Sequence, residues 1–423
     1  MSLDQLTLLR GARVEEAVHA LCGHVHAGRT ETVSLTEAIG RTLAYPFYTP
    51  FPMPPFCRAA MDGYAVRADE TLSASEASPA VLNVCGRRLP GTGDPLPGAE
   101  KPMQAVRIFT GAVMPEGYDT VLMQEAVPNG PSDGTEPEFI KLVRPCRRGE
   151  HVALAGEDME ARTLALDEGV VIGAKEVAIL ASYGSNRIAV RVKPRMAVLP
   201  VGDELAVPGL ARGNEQIYDA NGFMAEARLM ELGAEVVRFR PIPDRPQAIE
   251  EAIRSAMELA DIVITTGGVS VGAHDYAAEA AVRAGGVPLF RKVLMRPGKP
   301  TSAFTSRNGL IVCLSGNPSA CYAGLELLVA PIVRKASGRL QYDNRIVTGI
   351  LTEEVAKPCP LTRYVRSSLS FSDGLVKITP LGRDKAGNIA AFAHTDAFAV
   401  IPAGSRGASA GSAIQAVLLN RGG

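Results

Sequence analysis

The chain has 423 residues, of which 46% are hydrophobic and 21% charged, so it can form folded cores and global disorder is excluded. A chain of this length is expected to form two to four domains. The balance of 44 basic and 45 acidic side chains gives a net charge of −1, which argues against a general nucleic-acid-binding protein.

The seven cysteines are scattered and contain no CxxC pair. This pattern is typical of a reduced cytosolic chain rather than of a disulfide scaffold or a zinc site. Cys22, His24 and His26 form only a loose cluster, whereas a closed zinc site needs four ligands held together. The N-terminus lacks the features of a signal peptide, and no stretch approaches the roughly 18 apolar residues of a membrane span. We therefore expect a cytoplasmic protein with no membrane partner.

The first part of the chain shows two helical patterns. Residues 12–26 place apolar side chains at helical spacing, which predicts a helix. Ser34 and Glu37 have capping-box spacing, which predicts a second, short helix that stops at Gly40.

A proline-rich segment separates this region from the next. Four prolines between residues 50 and 55 favour an extended, rigid connector, so we place a domain boundary near residue 48. The segment 48–146 reads as short β strands between Gly, Pro and Asp turns, which predicts a small β domain. Residues 147–190 return to a mixed character. If they pack with residues 1–47, the β domain is an insertion into a discontinuous, mixed α/β N-terminal domain.

The second half of the chain has the most regular pattern. Residues 191–340 alternate apolar, β-branched strands with amphipathic helices, which predicts an α/β domain with a mostly parallel sheet and crossover helices. Residues 341–423 show several strands and no long helical pattern, which predicts a C-terminal β domain or barrel. The fold class is therefore a multi-domain combination of α/β and β structure.

Three helix starts can be placed within the α/β domain. Asn221 is the expected N-cap of one helix, which Gly233 would follow. Asp244 lies near the start of the next helix, with Pro246 in its first turn. Asn317 and Pro318 begin the last one.

Glycine-containing turns follow three of the predicted strands. Ligands of open parallel sheets bind beyond the carboxyl ends of the strands, so these turns are candidate sites. Their glycines let backbone N–H groups approach an anion, and helix N-termini favour negative charge. Neither a Walker A motif nor a GxGxxG fingerprint is present, so simple tight turns are the alternative. The candidate residues in these turns are Glu204, Gly267, Gly268, Ser270, Gly272, Asp275, Ser315, Gly316, Asn317 and Pro318.

A basic run, PLFRKVLMRPGKP, lies between two of these turns. Its cations Lys292, Arg296 and Lys299 form either a solvated turn or a binding surface for phosphate and other oxyanions. Acidic residues in the same cleft suggest a phosphate ligand with a divalent cation, because Mg²⁺ is commonly bridged between carboxylates and phosphates.

The predicted β domain contributes Asp62, in AAMDGYA, and Thr110, in FTGA. Asp-Gly is an ordinary turn signal, but a rigid proline run ahead of it would hold an acid at a domain edge. The chain has no nucleophile elbow, no HExxH and no useful Cys/His pair, so covalent catalysis is not indicated.

Seven motifs, in this order and spacing, closely resemble the molybdopterin molybdenumtransferase family, which includes the C-terminal domain of gephyrin. They are AAMDGYAVR, RIFTGAVMP, VGDELAVPG, QIYDANG, TTGGVSVGAHDY, RPGKP and SGNPSA. The resemblance covers about residues 10 to 415 and implies an elongated, four-domain homodimer with a molybdopterin-binding α/β domain. The implied reaction converts adenylylated molybdopterin and molybdate into molybdenum cofactor and AMP, with Mg²⁺ assisting.

The resemblance also implies functions for individual residues. The residues at catalytic positions are Asp62, Thr110, Glu204 and Asp275, of which the three acids would handle a divalent ion or molybdate. The residues that would hold phosphate or molybdate are Ser270, Lys292, Arg296 and Lys299. Asp244 matches the family pattern as well, although a helix N-cap would explain it equally. The family's cleft lies between two subunits, so dimerisation would be needed for activity.

The chain departs from the family pattern at three positions. Ala59 stands where the family usually has Ser, Arg296 where it has Lys, and Ser315 where it has Pro. Arg keeps the charge but presents a planar fork, which can change the preference between molybdate and tungstate.

Two other functions are compatible with these motifs. One is adenylylation of molybdopterin, because the α/β domain is shared with that enzyme, and the other is a non-catalytic molybdopterin-binding scaffold. The expected protein partners are the upstream adenylyltransferase and molybdoenzymes or their chaperones.

Overall fold

A computed structural model describes residues 11–93, 95–96, 100–128, 136–269, 275–307, 309–382 and 389–419. The chain divides into two compact units. The large unit comprises Met1–Tyr45, Glu168–Ala178 and Ser185–Gly423, and the small unit comprises Pro46–Asp167 and Ile179–Gly184. None of the helices in these described ranges combines the length and the apolar composition that a bilayer-spanning helix needs. The finer division into four domains stays a prediction.

The first described elements belong to the large unit. Helix α1 (Val14–Cys22) confirms the predicted helix, although it is shorter than the pattern suggested. Strand β1 (Thr30–Ser34) pairs antiparallel with Arg187–Arg191, so two distant segments of the chain share one small sheet. The buried residues of α1 follow the helical spacing and are Val14, Ala17, Leu21 and Cys22.

The predicted short helix after Ser34 is wrong. The capping box itself forms, since the Ser34 backbone N donates to Glu37 Oε2 at 3.0 Å. Only turns follow, however, and Gly40 adopts φ +77°. A first helical turn is costly to nucleate, and five residues before a left-handed glycine are too few to repay that cost.

Most of the regular structure in the described part of the small unit is β strand, as the sequence predicts for residues 48–146. Its strands are β2 (Phe47–Tyr48), β3 (Arg58–Ala59), β4 (Gly63–Val66), β5 (Ala80–Arg88), β6 (Gln104–Ile108), β7 (Thr120–Met123), β8 (Phe139–Leu142), β9 (Val152–Ala153) and β10 (Leu164–Leu166). Five of them form a sheet in the order β7-β4-β6-β5-β8, in which β5 and β6 are parallel. Its core includes the fully buried side chains of Tyr64, Leu82 and Ile140.

The middle of the chain supplies the central sheet of the large unit. Its strands are β11 (Arg187–Arg191), β12 (Arg195–Pro200), β13 (Leu205–Ala206), β14 (Ile217–Tyr218), β15 (Glu235–Arg238), β16 (Ile262–Thr266), β17 (Val287–Phe290), β18 (Met295–Arg296), β19 (Ser302–Ser306) and β20 (Gly309–Leu314). Six of them form the central sheet, in the order β15-β12-β16-β20-β19-β17. The first four strands in the sheet order are parallel, which confirms the predicted α/β architecture. β19 runs antiparallel to both of its neighbours, β20 and β17. β17 and β19 lie at the two ends of the basic run, where the sequence predicted no strand.

The remaining helices connect these strands. They are α2 (Ala174–Ser182), α3 (Ala220–Glu231), α4 (Pro246–Leu259), α5 (Tyr276–Arg283), α6 (Pro318–Gly324) and α7 (Ala330–Ala336). A π-helical turn at Leu325–Val329 joins α6 to α7, so residues 318–336 run as one helical rod. The rod is buried along most of its length.

Two of the expected N-caps need correction. Asp219, not Asn221, caps α3, because its side chain accepts a hydrogen bond from Gly222 N and Asn221 already lies inside the helix. Arg245 occupies the N-cap position of α4 without a side-chain bond, and Pro246 follows at the first helical position, as predicted. Asp244 therefore does not cap this helix.

The C-terminal region confirms the predicted β barrel. Its strands are β21 (Ile346–Leu351), β22 (Thr362–Ser372), β23 (Leu375–Pro380), β24 (Ala397–Ile401) and β25 (Ala413–Leu418). They pair in the order β22-β23-β21-β25-β24, and an additional pairing of β24 with β22 closes the sheet. Strand β18 pairs with the start of β22 and so connects the barrel to the central domain.

Candidate functional site

The glycine turns after β12, β16 and β20 meet at the carboxyl edge of the central sheet. A Cβ atom on Gly267 would lie only 2.2 Å from the Val201 backbone oxygen. A Cβ on Gly316 would lie 3.4 Å from the Cα of Gly267. Glycine is therefore needed for the backbones to approach this closely, and the predicted convergence of the three loops is present.

Hydrogen bonds fix the loop after β20. Asn221, in the first turn of α3, donates from Nδ2 to Gly316 O at 2.7 Å. Asn317 caps α6 by accepting from Ser319 N at 3.2 Å, and Pro318 occupies the first helical position. Ser315 Oγ accepts from Asn317 N at 3.3 Å. The serine thus gives the loop a local hydrogen bond.

Three carboxylates lie together where the loop after β12 approaches the start of α4. Asp244 N donates to Asp203 Oδ1 at 3.3 Å, and Glu204 follows Asp203 in the chain. Burial raises the pKa of the Asp244 carboxyl, and repulsion from Asp203 and Glu204 raises it further. Asp244 Oδ1 is buried and has no hydrogen-bond partner among the described residues. A buried carboxylate oxygen without a partner is costly for the fold, so this group fits a function in binding better than one in stability.

Asp275 lies at the same edge but is already engaged in the fold. It caps α5, with Oδ1 accepting from Ala278 N at 3.1 Å. Burial raises the pKa of its carboxyl, whereas the Ala278 N–H and the charge of Arg291 act in the opposite direction. Ser270 and Gly272, in the preceding loop, lie outside the described residues.

The basic run includes most of β17 and all of β18, buries Val293 and Met295, and exposes its cations. Lys292, Arg296 and Lys299 are all exposed, and none of them makes an ion pair within the described part of the chain. The loop is closed by Val293 N, which donates to Lys299 O at 3.0 Å. Gly298 adopts φ +102°, and a Cβ there would lie 3.5 Å from the backbone oxygen of Ala320 in α6. The segment therefore packs against α6, and the binding function of the three cations stays a prediction.

Four buried hydroxyl groups near this edge were not recognised in the sequence. Ser302 pairs with Cys313 and Thr266 pairs with Leu314, so both lie next to the carboxyl end of β20. The unpartnered hydroxyl oxygens belong to Thr266, Thr301, Ser302 and Ser319. The sequence pattern that could have predicted them is the presence of Ser and Thr at the ends of otherwise apolar strands. Such groups can donate to ligand oxygens.

In the small unit, Asp62 and Thr110 lie together. Thr110 donates to Asp62 Oδ1 from its backbone N and from Oγ1, both at 2.7 Å. These two hydrogen bonds lower the pKa of the Asp62 carboxyl, and the charge of Arg107 lowers it further. Gly63, the first residue of β4, allows the close approach of β7, because a Cβ there would overlap Leu122 O at 1.9 Å. Thr110 is therefore the residue that orients Asp62 and keeps it ionised.

A metal site made only of protein ligands is not evident in the described ranges. They contain no group of three or more His, Cys, Asp and Glu side chains arranged to hold a metal. The metal-binding function of Asp62, Glu204 and Asp275 stays a prediction.

Three family models together match most of the chain. Residues 12–184 match the MoeA N-terminal region (domain I and II), residues 197–335 match a probable molybdopterin binding domain, and residues 348–419 match the MoeA C-terminal region (domain IV).

Curated relatives and solved structures agree with these matches. The molybdopterin molybdenumtransferase of Bacillus subtilis is 34% identical over 96% of this chain and 94% of its own length. A Staphylococcus aureus protein of the same name is 33% identical over 96% of this chain and 95% of its own length. A crystal structure of the molybdopterin biosynthesis MoeA protein from Pyrococcus horikoshii superposes with a TM-score of 0.81 at 26% identity, covering 97% of this chain and 100% of that one.

Proposed function

The chain belongs to the molybdopterin molybdenumtransferase family, and we infer that it is a transferase that inserts molybdenum during molybdenum-cofactor synthesis. In finer terms, we propose that it converts adenylylated molybdopterin and molybdate into molybdenum cofactor and AMP. The observation that carries the finer proposal is the unpartnered, buried Asp244 oxygen beside Asp203 and Glu204. It lies at the sheet edge where glycine loops, free hydroxyls and a basic loop offer donors to anions.

The substrates are both anionic, and the sheet edge offers donors for each. Exposed Lys292, Arg296 and Lys299 would attract molybdate and the phosphates of the adenylylated pterin. Backbone N–H groups of the glycine loops and the N-terminus of α6 add shorter-range donors. The buried hydroxyls of Ser302 and Ser319 can donate to oxygens that reach the sheet.

Divalent cations suit the acidic cluster of Asp203, Glu204 and Asp244. Mg²⁺ takes oxygen ligands and usually keeps several waters, binding through one or two carboxylates plus substrate phosphates. The free Asp244 oxygen meets that requirement without a larger protein cage. When bound, Mg²⁺ would neutralise charge on the phosphate oxygens, and these carboxylates would hold it.

The protein's own acids differ in the protonation state that they favour. Asp62 has a lowered carboxyl pKa, so it stays ionised and can accept a hydrogen bond from the attacking species. Asp244 and Asp275 have raised carboxyl pKa values and gain most from a nearby cation or donor. We assign Asp62 to orienting the attacking species and Asp244 with Glu204 to cation handling, with Asp275 holding the loop before α5.

Two further proposals concern assembly and compartment. We propose a homodimer, on the basis of the family resemblance, and sedimentation of the full chain measures it. We also propose a reducing, cytoplasmic setting. All seven cysteines are free, and five of them are buried, which suits a reduced chain.

The decisive experiment measures AMP release from purified adenylylated molybdopterin with molybdate. The native chain should release AMP, whereas Asp62→Ala and Asp244→Asn should release much less while still binding the pterin. A native chain that binds the pterin but releases no AMP would favour the scaffold alternative. Consumption of ATP with free molybdopterin would instead favour the adenylyltransferase.

A further inference from the structure

A cavity in the large unit, away from the sheet edge described above, is lined by three arginines. It has a volume of about 580 Å³ and lies between Gly169–Val171, the end of α7 and the segment Leu340–Arg345. Sites for small molecules commonly have volumes of about 300–1,000 Å³. The cavity is remote from the glycine loops, because Arg334 lies 16 residues along the helical rod from Pro318, about 24 Å at 1.5 Å per residue.

Three arginines, Arg334, Arg339 and Arg345, line this cavity, and neutral acceptors bind the guanidinium groups of the first two. Arg334 Nη1 donates to Tyr342 O, to Asp343 O and, at 3.0 Å, to Asn344 Oδ1. Arg339 Nη2 donates to Leu232 O at 2.8 Å. Neither guanidinium is paired with a carboxylate in the described part of the chain. The buried Glu326 is bound by Arg228, at 2.8 Å from its Nε.

The positive charge beside the cavity is only partly compensated. Burial lowers the pKa of Arg334 to about 10, the charge of the buried Glu326 opposes that shift, and repulsion from Arg228, Arg339 and Arg345 adds to it. Burial and the charge of Arg228 also lower the pKa of Arg339. Natural proteins rarely bury arginine without an anionic partner, because the desolvation cost is not repaid.

One donor in this cluster has no acceptor. Arg339 Nε is buried and makes no hydrogen bond within the described ranges. Unsatisfied buried N–H groups are uncommon, and a ligand oxygen is one way to satisfy them. Three arginines and one carboxylate, that of Asp343, line the cavity, so positive charge predominates on its wall.

We propose that this cavity binds a tetrahedral dianion, either as a phosphate group or as a free oxyanion such as molybdate. The planar forks of Arg339 and Arg345 contact its oxygens bidentately, and Arg334 holds the wall in place. The site is additional to the one at the carboxyl edge of the sheet. A single helical rod, which starts at Asn317 and ends beside the cavity, connects the two.

Calorimetric titration of the full-length protein tests this site, at constant ionic strength, with inorganic phosphate in one series and molybdate in another. Arg339→Gln and Arg345→Gln should each weaken one saturable binding event about tenfold, the loss expected for a charged hydrogen bond. Arg307→Gln removes an exposed arginine outside the cavity and should bind like the native chain. Lys299→Gln should keep the event, because it alters only the loop at the sheet edge.

The two series also separate the sources of the ligand. Tighter binding of phosphate indicates a phosphorylated metabolite, and tighter binding of molybdate indicates a second oxyanion site. The proposal is overturned if neither anion gives saturable heat, or if the event is lost in Lys299→Gln and retained in both cavity variants. Thermal melts of each variant without ligand show that a lost event does not come from unfolding.

Discussion

Thr110 directs two donors, its backbone N and its Oγ1, at the same oxygen of Asp62, each at 2.7 Å. The two residues are 48 positions apart in the chain, so the pair depends on the fold of the small unit. A substitution can remove the Thr110 hydroxyl but not its backbone N–H, so the contribution of the hydroxyl can be tested separately.

Thr110→Val removes one of the two hydrogen bonds and keeps the side-chain shape. The Asp62 carboxyl should then protonate at higher pH, because the bond that favours its ionised form is gone. The acid limb of the kcat/KM profile should move to higher pH, and the rate at neutral pH should fall about threefold to tenfold. Thr110→Ser, which retains the hydroxyl, should leave the acid limb in place. An unmoved limb in Thr110→Val would show that Asp62 ionisation does not govern the reaction.

Asp244→Asn should lower AMP release strongly, by about 100-fold or more, because an amide cannot replace a carboxylate beside Mg²⁺. The residual rate should also lose most of its dependence on Mg²⁺ concentration. Glu258→Gln, which alters an exposed acid on α4, serves as the matched control. If Asp244→Asn releases AMP at a rate within twofold of the native rate, Asp244 has no important function in the reaction.

Asp244→Asn should also stabilise the folded protein near neutral pH. The Asp244 pKa is raised in the folded state, so the folded protein binds this proton more tightly than the unfolded chain does. Ionisation therefore costs stability as pH rises from the unfolded value of about 3.9 through the raised native value. Asp244→Asn should raise the Tm at pH 7, and the gain should vanish near pH 4. Melting curves at the two pH values measure the difference.

Lys299→Gln should raise the KM for the anionic substrates about tenfold while changing kcat little, because an exposed cation mainly attracts them. The effect should shrink as salt is added, since screening weakens surface charges. Arg296→Lys, which restores the usual family residue, should keep the KM and change the ratio of molybdate to tungstate activity. Equal KM values for Lys299→Gln and native protein at low salt would contradict the assignment of the loop.

Gly267→Ala should destabilise the protein by about 3 kcal/mol or more, because the new methyl would overlap Val201 O. Gly209→Ala is the control for backbone conformation alone, since Gly209 has φ +88° and open space around it. That variant should lose only about 1 kcal/mol. Urea unfolding of both variants compares the two costs. Equal losses would mean that the loops after β12 and β16 can separate at little cost.

The parallel strands of the central sheet were predictable because each can be recognised from its own residues. β12, β16 and β20 are nearly continuous apolar runs, as strands covered on both faces require. β17 and β19 were missed, because prolines and charges interrupt their segment and their pairing depends on the neighbouring strand β20. Ser34 and Glu37 show the opposite outcome. The hydrogen bond of the capping box forms between them, but no helix follows it.

The candidate site was predictable in its location and less so in its details. Strand ends predicted one sheet edge for the turns that hold Glu204 and Asp275, and the described parts of the loops after β12, β16 and β20 meet there. Asp244 lies beside Asp203 and Glu204, which the strand-end argument did not predict. The sequence could not show that Asp244 is freed from capping, since that depends on where α4 begins. The hydroxyl groups of Ser302 and Ser319 are buried and have no hydrogen-bond partner among the described residues. Several elements together bury them, so the local sequence could not predict this.

The closed C-terminal barrel has a consequence for recognition. Because β24 pairs back onto β22, the five strands satisfy one another's backbone groups around the ring. An extended peptide that binds by adding a strand to a free sheet edge finds no such edge between these strands. A partner that docks on this domain must therefore distinguish it by its side chains, and substitutions on the outer barrel surface are the ones that would alter the choice of partner.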